Sequence, residues 1–223
     1  MTHHKENQTY YLERNEEGVL ELRKKSSKEK ICVDFLSGEF QQRLKTLSKN
    51  QPLYKAMAIK SGEKILDATA GLGKDALSFC HFGVYVTAVE ENPIIFALLE
   101  DGLNRAMLNS QFKDKFSGKI QLVNDSSLEY MKGLEEKPDT IYLDPMYPHE
   151  EKSAKPKKEM AFLRELVSVT QNVEELLETA IQTALKRVVL KRPHGSEFIG
   201  KPSHSFESKL VRYDMYLMNQ RII

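Results

Sequence analysis

The sequence has few cysteines, no long apolar run and almost no net charge, and each scarcity excludes a class of protein. Its two cysteines, Cys32 and Cys80, cannot form a disulfide framework and are interpreted as reduced core thiols. No uninterrupted apolar run approaches the roughly 20 residues that a membrane span requires. The polar segment 1–8 lacks the apolar stretch of a signal peptide. These absences predict a cytoplasmic protein with no contact to a membrane.

The composition is that of a soluble protein with a substantial core. Of the 223 residues, 40% are hydrophobic, which is enough to fill a core, and 29% are charged. A net charge of +1 gives no overall attraction to nucleic acid, so a basic surface would require local asymmetry. The length suits one domain with a small appendage. We divide the chain into a small N-terminal subdomain of strands and helices, residues 1–60, and a main α/β domain, residues 61–223.

Apolar periodicity predicts two kinds of sheet. Residues 9–35 alternate as three short strands, which predicts a small antiparallel sheet. Helices at 38–47, capped by Ser37, and at 52–58 should follow. From residue 64 onwards strands and helices alternate, which is typical of a parallel sheet. The predicted strands are 64–67, 84–89, 120–123, 140–143 and 187–191, with helices at 73–82, 93–108, 158–168 and 173–185 and a closing hairpin at 206–217.

A glycine turn follows the first strand of the main domain. Residues 64–75 read Lys-Ile-Leu-Asp-Ala-Thr-Ala-Gly-Leu-Gly-Lys-Asp, and Gly71 and Gly73 allow a ligand to lie against the backbone. The helix that follows directs its free N–H groups to the same place. The next strand ends in Glu90 and Glu91, where dinucleotide-type folds hold ribose hydroxyls. The combination predicts a nucleotide-type site.

Polar residues end four successive strands of the predicted parallel sheet. They are Asp67, the pair Glu90 and Glu91, the group Asp125, Ser126 and Ser127, and Asp144. The carboxyl ends of parallel strands line one crevice, which is the general ligand site of this architecture. The alternative for Ser126 or Ser127 is that it only caps the next helix. Four such ends after a glycine turn favour a shared site.

Residues 144–147, Asp-Pro-Met-Tyr, carry the most specific chemistry. Pro145 makes the turn rigid, Asp144 offers acceptor oxygens, and Tyr147 offers a face for stacking. This set suits a planar base with an exocyclic amine, since the ring can stack while the carboxylate accepts from the NH₂ group. An amine held in this way can attack an electrophilic methyl group. The alternative is a plain turn with Tyr147 in the core. No Cys–His spacing typical of a metal site appears, so no metal is expected.

Several motifs together resemble those of the RsmJ family, the 16S ribosomal RNA (guanine-N2)-methyltransferases. They are residues 67–75 (DATAGLGKD), 90–93 (EENP), 101–103 (DGL), 144–149 (DPMYPH), 152–154 (KSA), 157–160 (KKEM) and 186–193 (KRVVLKRP). The resemblance extends from about residue 18 to about residue 216. It implies a Rossmann-like class I fold that uses S-adenosylmethionine (SAM), with S-adenosylhomocysteine as product. It also implies methylation of one guanine N2 amine in 16S rRNA or the small ribosomal subunit.

Position by position, the resemblance and the strand-end pattern give a set of candidate site residues. The cofactor-binding candidates are Asp67, Gly71, Lys74, Asp75, Glu90, Glu91, Ser126, Ser127 and Asp144, and the catalytic candidates are Asp144, Pro145 and Tyr147. In the family, Lys74 and Asp75 correspond to the amino-acid end of SAM, Glu90 to its ribose, and the two serines to its adenine. The family more often has arginine at the position of Glu91, so Glu90 is the better ribose candidate.

Other functions share part of this pattern. A SAM-dependent methyltransferase acting on DNA adenine or on a protein glutamine would use the same Asp-Pro-aromatic logic. A nicotinamide-dependent oxidoreductase shares the glycine turn and the acidic strand end but does not require residues 144–147. A non-catalytic RNA-binding protein that retains the fold would bind no SAM.

Basic residues near the predicted site suggest how RNA could be held. They are Lys152, Lys155, Lys157 and Lys158 after the catalytic turn, and Lys186, Arg187, Lys191 and Arg192 around the fifth strand. A basic rim would attract RNA phosphates, and the alternative is an ordinary solvated surface. The sequence leaves open the oligomeric state and whether naked rRNA, an assembly intermediate or the mature subunit is the substrate.

Overall fold

The structure is a computed structural model that describes residues 9–146 and 172–218. Its helices are α1 (Gly38–Lys45), α2 (Pro52–Met57), α3 (Lys74–Cys80), α4 (Pro93–Ala106), α5 (Ser110–Phe116), α6 (Ser127–Lys132) and α7 (Val173–Thr183). Its strands are β1 (Tyr10–Arg14), β2 (Leu20–Lys24), β3 (Lys30–Ile31), β4 (Lys64–Asp67), β5 (Tyr85–Val89), β6 (Ile120–Val123), β7 (Thr140–Leu143), β8 (Arg187–Pro193), β9 (His204–Glu207) and β10 (Val211–Leu217). The helix predicted at 158–168 lies outside the described residues.

Seven strands form the main sheet, in the order β6-β5-β4-β7-β8-β10-β9. The first five in this order are parallel, and β10 pairs antiparallel with both β8 and β9. The predicted parallel sheet and closing hairpin are therefore confirmed. From β4 the chain builds outward through β5 and β6 and then returns to place β7 on the other side. The sheet thus has its switch point between β4 and β7, where ligands bind in open α/β folds.

The parallel strands are apolar because both faces of the sheet are covered. Side chains alternate between two cores with the period of two that a strand imposes. Ile65 of β4 and Tyr142 of β7 belong to one hydrophobic cluster, and Leu66 and Ile141 to the other. All four residues of β7 are buried. A strand that is buried on both faces has a continuous apolar sequence, and this pattern is the one from which β7 was predicted.

The helix boundaries follow local capping chemistry. Ser37 accepts a hydrogen bond from the Phe40 amide at the start of α1, as predicted. Asn92 accepts from two amides at the start of α4, and Pro93 occupies its first position. Two short helices, α5 and α6, were not predicted, although Asn109 caps α5 in the same way. Six or seven residues give too little periodicity for recognition.

The predicted N-terminal sheet is confirmed, but its third strand is shorter than expected. Only Lys30 and Ile31 pair with β2, whereas a strand over 31–35 was predicted. The backbone leaves the sheet there because the Val33 carbonyl accepts a hydrogen bond from Arg105 of α4 instead of from a neighbouring strand. The apolar residues of segment 31–35 therefore pack on a helix. Their alternation in the sequence did not distinguish a strand from a segment that packs on a helix.

A buried carboxylate joins the N-terminal sheet to α4. Asp101, only 8% exposed, accepts hydrogen bonds from Arg14 at 2.6 Å, from the Leu20 amide at 3.2 Å and from Arg105 at 2.8 Å. Tyr10 of the small sheet belongs to the same hydrophobic cluster as the main-domain helices. The division of the chain near residue 60 stays a prediction. No helix among the described residues is long and apolar enough to cross a membrane.

Gly102 provides the first test, because it lets the chain at Val33 lie directly on α4. A Cβ atom built on Gly102 would lie 2.6 Å from the Val33 Cβ and 2.9 Å from its carbonyl oxygen. We expect Gly102→Ala to lower the free energy of unfolding by about 1–3 kcal/mol, as overpacking does. In an open helix the same change stabilises by about 1 kcal/mol.

Urea unfolding measures the free energy of unfolding and so distinguishes destabilisation by overpacking from stabilisation by helix propensity. Gly38→Ala is the matched control, because Gly38 is also helical and a Cβ there meets no atom within 4 Å. A Gly102→Ala protein as stable as the Gly38→Ala protein would show that the contact with Val33 is not tight.

Candidate active site

The four polar strand ends lie together and are tied to one another by hydrogen bonds. The Ala68 amide donates to the Tyr142 carbonyl at 3.1 Å, which joins the ends of β4 and β7. The Asn124 side chain donates to the Glu90 carbonyl at 2.7 Å, which joins the ends of β6 and β5. The Asp144 amide donates to the Thr69 hydroxyl at 2.6 Å. These bonds build one continuous edge from separate segments of sequence, as the strand-end pattern predicted.

Glu90 fixes the glycine turn to the end of β5. One carboxylate oxygen accepts from the Gly71 amide at 2.8 Å and the other from the Asn92 amide at 2.8 Å. Burial raises the pKa of Glu90, and the two amide hydrogen bonds offset part of that effect. Each carboxylate oxygen has a second lone pair, so Glu90 can still accept from a ligand hydroxyl. Its neighbour Glu91 is exposed.

The two predicted serines differ in environment. Ser127 is 2% exposed, and its hydroxyl donates to the Ala68 carbonyl next to the glycine turn. Ser126 is only partly buried and is the N-cap residue of α6, where its side chain makes no capping hydrogen bond. Ser127 is therefore a buried residue that stabilises the backbone next to the glycine turn. Ser126 is the better placed of the two to meet a ligand.

Lys74 and Asp75 begin α3 directly after Gly73, which is left-handed with φ of +74°. Both are partly buried. One oxygen of Asp75 pairs with Arg43 of α1, and the other accepts from the Tyr142 hydroxyl at 3.0 Å. Burial tends to raise the pKa of Asp75, but Lys191 and Arg43 outweigh it and the pKa is lowered. Asp75 thus faces protein groups on both oxygens.

Asp144 follows β7 at the switch point and forms an ion pair with Lys191 of β8. The distance from Lys191 Nζ to Asp144 Oδ2 is 2.6 Å, and the two side chains are 27% and 32% exposed. Burial raises the pKa of Asp144, with the Lys191 ammonium opposing and Asp75 adding to the rise. Pro145 is buried behind this carboxylate. Tyr147, the predicted stacking residue, lies outside the described residues.

Asp67 differs from the other carboxylates because it is almost completely buried, at 1% exposure. Burial, followed by the charge of Asp75, raises its pKa well above the usual range. One of its oxygens accepts from the Thr69 amide at 3.2 Å. Asp67 therefore stabilises the start of the glycine turn from a buried position. Among residues 9–146 and 172–218, no cluster of three or more His, Cys, Asp or Glu side chains is placed to hold a metal ion.

Two lysines of the predicted basic rim, Lys186 and Lys191, lie at opposite edges of the sheet. Lys186 lies at the amino end of β8, where it pairs with Glu63 and Asp139 at 2.9 Å each. That end of the strand is the edge opposite Asp144, so Lys186 does not border the site. Lys191 is at the correct edge but pairs with Asp144. The lysines at 152–158 lie outside the described residues.

The sequence analysis missed the partners of the acidic residues. Lys191 was assigned to an RNA-binding rim, and Arg43 and Tyr142 received no role. A signal for Lys191 existed, since a lysine directly after the apolar run 188–190 should emerge at the same edge as Asp144. The partnership also requires that β8 be the neighbour of β7, which a single sequence does not reveal.

The comparisons with known proteins agree with this architecture. A family model of SAM-dependent methyltransferases matches residues 1–218. Ribosomal RNA small subunit methyltransferase J of Shewanella amazonensis is 43% identical over 209 residues, 91% of this chain and 84% of the relative. The protein of the same name from Aeromonas hydrophila is 41% identical over 206 residues, 89% and 83% of the two chains.

A solved structure agrees as well. The crystal structure of a SAM-dependent methyltransferase from Neisseria gonorrhoeae has a TM-score of 0.71 at 36% identity, and the match covers 91% of this chain and 80% of that one. The fold and the site therefore define the class of this protein as a Rossmann-like SAM-dependent methyltransferase. Within that class, the chain belongs to the ribosomal RNA small subunit methyltransferase J family.

The residues at the strand ends fit SAM. A Cβ built on Gly71 would meet no atom within 4 Å, so open space lies over the turn where a ligand would approach. The Glu90 carboxylate beside this space is an acceptor pair suited to the two ribose hydroxyls. Ser126, the partly buried N-cap residue of α6, remains the predicted residue for the adenine. These are the residues that we expect to hold the nucleoside part of SAM.

The difference between Glu90 and Glu91 provides a second test. Hydrogen bonds to charged groups contribute about 1.5–3 kcal/mol, so Glu90→Gln should raise the Kd for SAM about tenfold or more. We expect Glu91→Gln to have a smaller effect, because Glu91 is exposed and does not hold the turn. Calorimetric titration with S-adenosylhomocysteine measures both. A larger loss in Glu91→Gln would reverse the assignment of the ribose position.

Proposed function

We propose that this protein transfers the methyl group of SAM to the exocyclic N2 of a specific guanine in 16S rRNA of the small ribosomal subunit. The family to which the chain belongs makes it a SAM-dependent methyltransferase. The RNA substrate is supported by relatives whose name is ribosomal RNA small subunit methyltransferase J. The guanine N2 is supported by the resemblance of residues 144–149. The observation that carries the proposal is the partly exposed Asp144 carboxylate at the switch point of the sheet.

Asp144 orients the target amine in this mechanism. The lone pair of a guanine N2 is delocalised into the ring, which makes the free amine a poor nucleophile. A carboxylate that accepts one N–H hydrogen bond holds the nitrogen in place and favours a more pyramidal geometry. Lys191 and the Thr69 hydroxyl fix Asp144 on either side. The protein therefore contributes mainly proximity and orientation.

The same carboxylate is placed to take the proton that the amine loses. When bound, SAM supplies an electrophilic methyl group on its sulfonium. The nitrogen that gains this methyl group becomes acidic, and Asp144, which already accepts its hydrogen bond in this mechanism, takes the proton. No covalent intermediate is required, so Cys32 and Cys80 need no role. Burial also raises the pKa of the Cys80 thiol to about 12, which makes it a poor nucleophile.

Tyr147 completes the proposal as the stacking residue for the base. Met146, the residue immediately before Tyr147, packs against the main hydrophobic cluster. A stacking aromatic beside an acceptor is a combination that single-stranded RNA bases commonly meet. We therefore propose that the target guanine is flipped out of the RNA and held between Tyr147 and Asp144.

Substitutions at Asp144 test the mechanism. General-base catalysis typically contributes about 10²–10⁴-fold, so Asp144→Ala should lower kcat by roughly that factor. Asp144→Asn keeps an acceptor oxygen but cannot take the proton, so its activity separates orientation from proton transfer. Activity is measured as transfer of labelled methyl from SAM to small subunits that lack the modification. Circular dichroism and S-adenosylhomocysteine binding establish that each variant is folded. Near-normal turnover in Asp144→Ala would contradict the proposal.

The substrate is tested by mass mapping of 16S rRNA from cells with and without this gene. We expect loss of a single N2-methylguanine, restored by the wild-type gene but not by Asp144→Ala. An unchanged map would reject rRNA. DNA adenine and protein glutamine would then be the substrates to assay, since each presents an amine or amide to the same acceptor.

A further inference from the structure

The site contains an alternating row of charges that the reaction as described does not fully explain. Asp144 pairs with Lys191, and both oxygens of Asp75 are taken by Arg43 and Tyr142. Lys191 also acts on Asp75, where it is the strongest influence that lowers the pKa. The order of charge is therefore carboxylate, ammonium, carboxylate, guanidinium. It leads from the proposed reaction centre back to helix α1.

We propose that Lys191 is a positioning residue that holds Asp144 as an ionised acceptor facing the target amine. The inference rests on the proposed function, since it assigns a purpose to an ion pair at that reaction centre. Lys191 itself does not touch the reacting atoms and acts through Asp144.

Register supports this assignment independently of the charges. Leu143 of β7 pairs with Leu190 of β8, so Asp144, which directly follows β7, lies level with Lys191 within β8. The 2.6 Å contact therefore follows from the sheet itself and does not depend on a flexible loop. Asp144 is also fixed on its other side, by the bond from its amide to Thr69 at 2.6 Å. Asp144 is therefore held from two elements, at its carboxylate by Lys191 and at its backbone amide by Thr69.

Electrostatics explain why such a partner is needed. The described groups that interact with Asp144 are Lys191 of β8, Asp75 of α3, Asp67 of β4, Tyr142 of β7 and Tyr213 of β10. Four of these are acids or phenols that gain no stability from a further negative charge. Lys191 is the cation among them, and burial together with Asp75 raises the pKa of Asp144. Without Lys191, the carboxylate would bind a proton more readily, and it would then be a weaker acceptor and unable to take the proton from the amine.

Asp75 and Asp144 keep Lys191 charged. Burial works to lower the pKa of Lys191, but the two carboxylates outweigh it and the pKa is raised. The ammonium is therefore permanent over the pH range in which the enzyme would be assayed. It follows that loss of the lysine charge contributes no change in activity over that pH range.

The test compares Lys191→Met, which removes the charge, with Lys191→Arg, which keeps it. At pH 7 we expect kcat of Lys191→Met to fall by about 10- to 100-fold, with a KM for SAM close to that of the wild type. An opposite charge at this distance shifts a carboxyl pKa by about 1–3 units, so the acid limb of kcat should move to higher pH by about one unit or more. Raising the pH should therefore restore part of the activity of Lys191→Met. In Lys191→Arg, the acid limb of kcat should lie at the same pH as in the wild type.

Lys186→Met is the matched control, because it removes an ion-paired lysine from the other end of the same strand. We expect it to lower stability without moving the acid limb. A Lys191→Met protein with unchanged kcat, or with kcat lowered equally at every pH, would overturn the proposal. The second result would show that the ion pair is only structural.

A second measurement needs no RNA, so the failure of this inference can be distinguished from failure of the proposed function. Carbon-13 NMR follows the titration of the Asp144 carboxyl, assigned from the signal that disappears in Asp144→Asn. We expect the pH midpoint of this titration to rise in Lys191→Met and to be unchanged in Lys186→Met. If the wild type methylates no rRNA but the midpoint moves, the ion pair stands and the function is wrong. If rRNA is methylated and the midpoint does not move, only the role of Lys191 is wrong.

Discussion

The pairing register of β7 with its two neighbours is the constraint on which the site depends. On one side Asp67 of β4 pairs with Tyr142, which brings Thr69 level with Asp144. On the other side Leu190 pairs with Leu143, which brings Lys191 level with it. A slip of one residue would turn every side chain of a strand to the opposite face. The buried apolar residues of β7 therefore fix the position of a carboxylate to which they make no polar contact.

Three buried or half-buried aspartates in one site would be costly without compensation. Unpaired carboxylates are expelled from low-dielectric surroundings or become protonated. Here Asp75 and Asp144 each have a cation, whereas no ion pair joins Asp67 to a cation among the described residues, and its pKa is raised well above the usual range. The three acids thus divide into two charged groups at the surface of the site and one group beneath the turn that favours the neutral form. Burial and the placement of two cations produce this division.

The sequence predicts those features that local patterns determine. Apolar runs located β4 to β8, the glycine pair located the turn, and side-chain caps located α1 and α4. Polar residues at strand ends identified the correct edge of the sheet. The relations between segments distant in sequence were not predictable, because Arg43, Lys191 and Tyr142 acquire their partners only through the order of the strands. For the same reason a lysine that pairs with the central carboxylate was interpreted as part of an RNA-binding surface, and so was Lys186 at the opposite edge.

The attachment of the small N-terminal sheet to α4 also limits the order in which the chain can fold. Arg14 and Asp101 are separated by 87 residues, and Leu20 and Asp101 by 81. During synthesis the first strands leave the ribosome well before the helix that they cover. Contacts so distant in sequence form late, after the loop between them has been closed. The apolar side of the N-terminal sheet, including Tyr10 and Leu22, must therefore wait unprotected for several seconds at ordinary rates of translation, roughly 5–20 residues per second. These strands, although made before α4, are thus among the last parts to reach their final place.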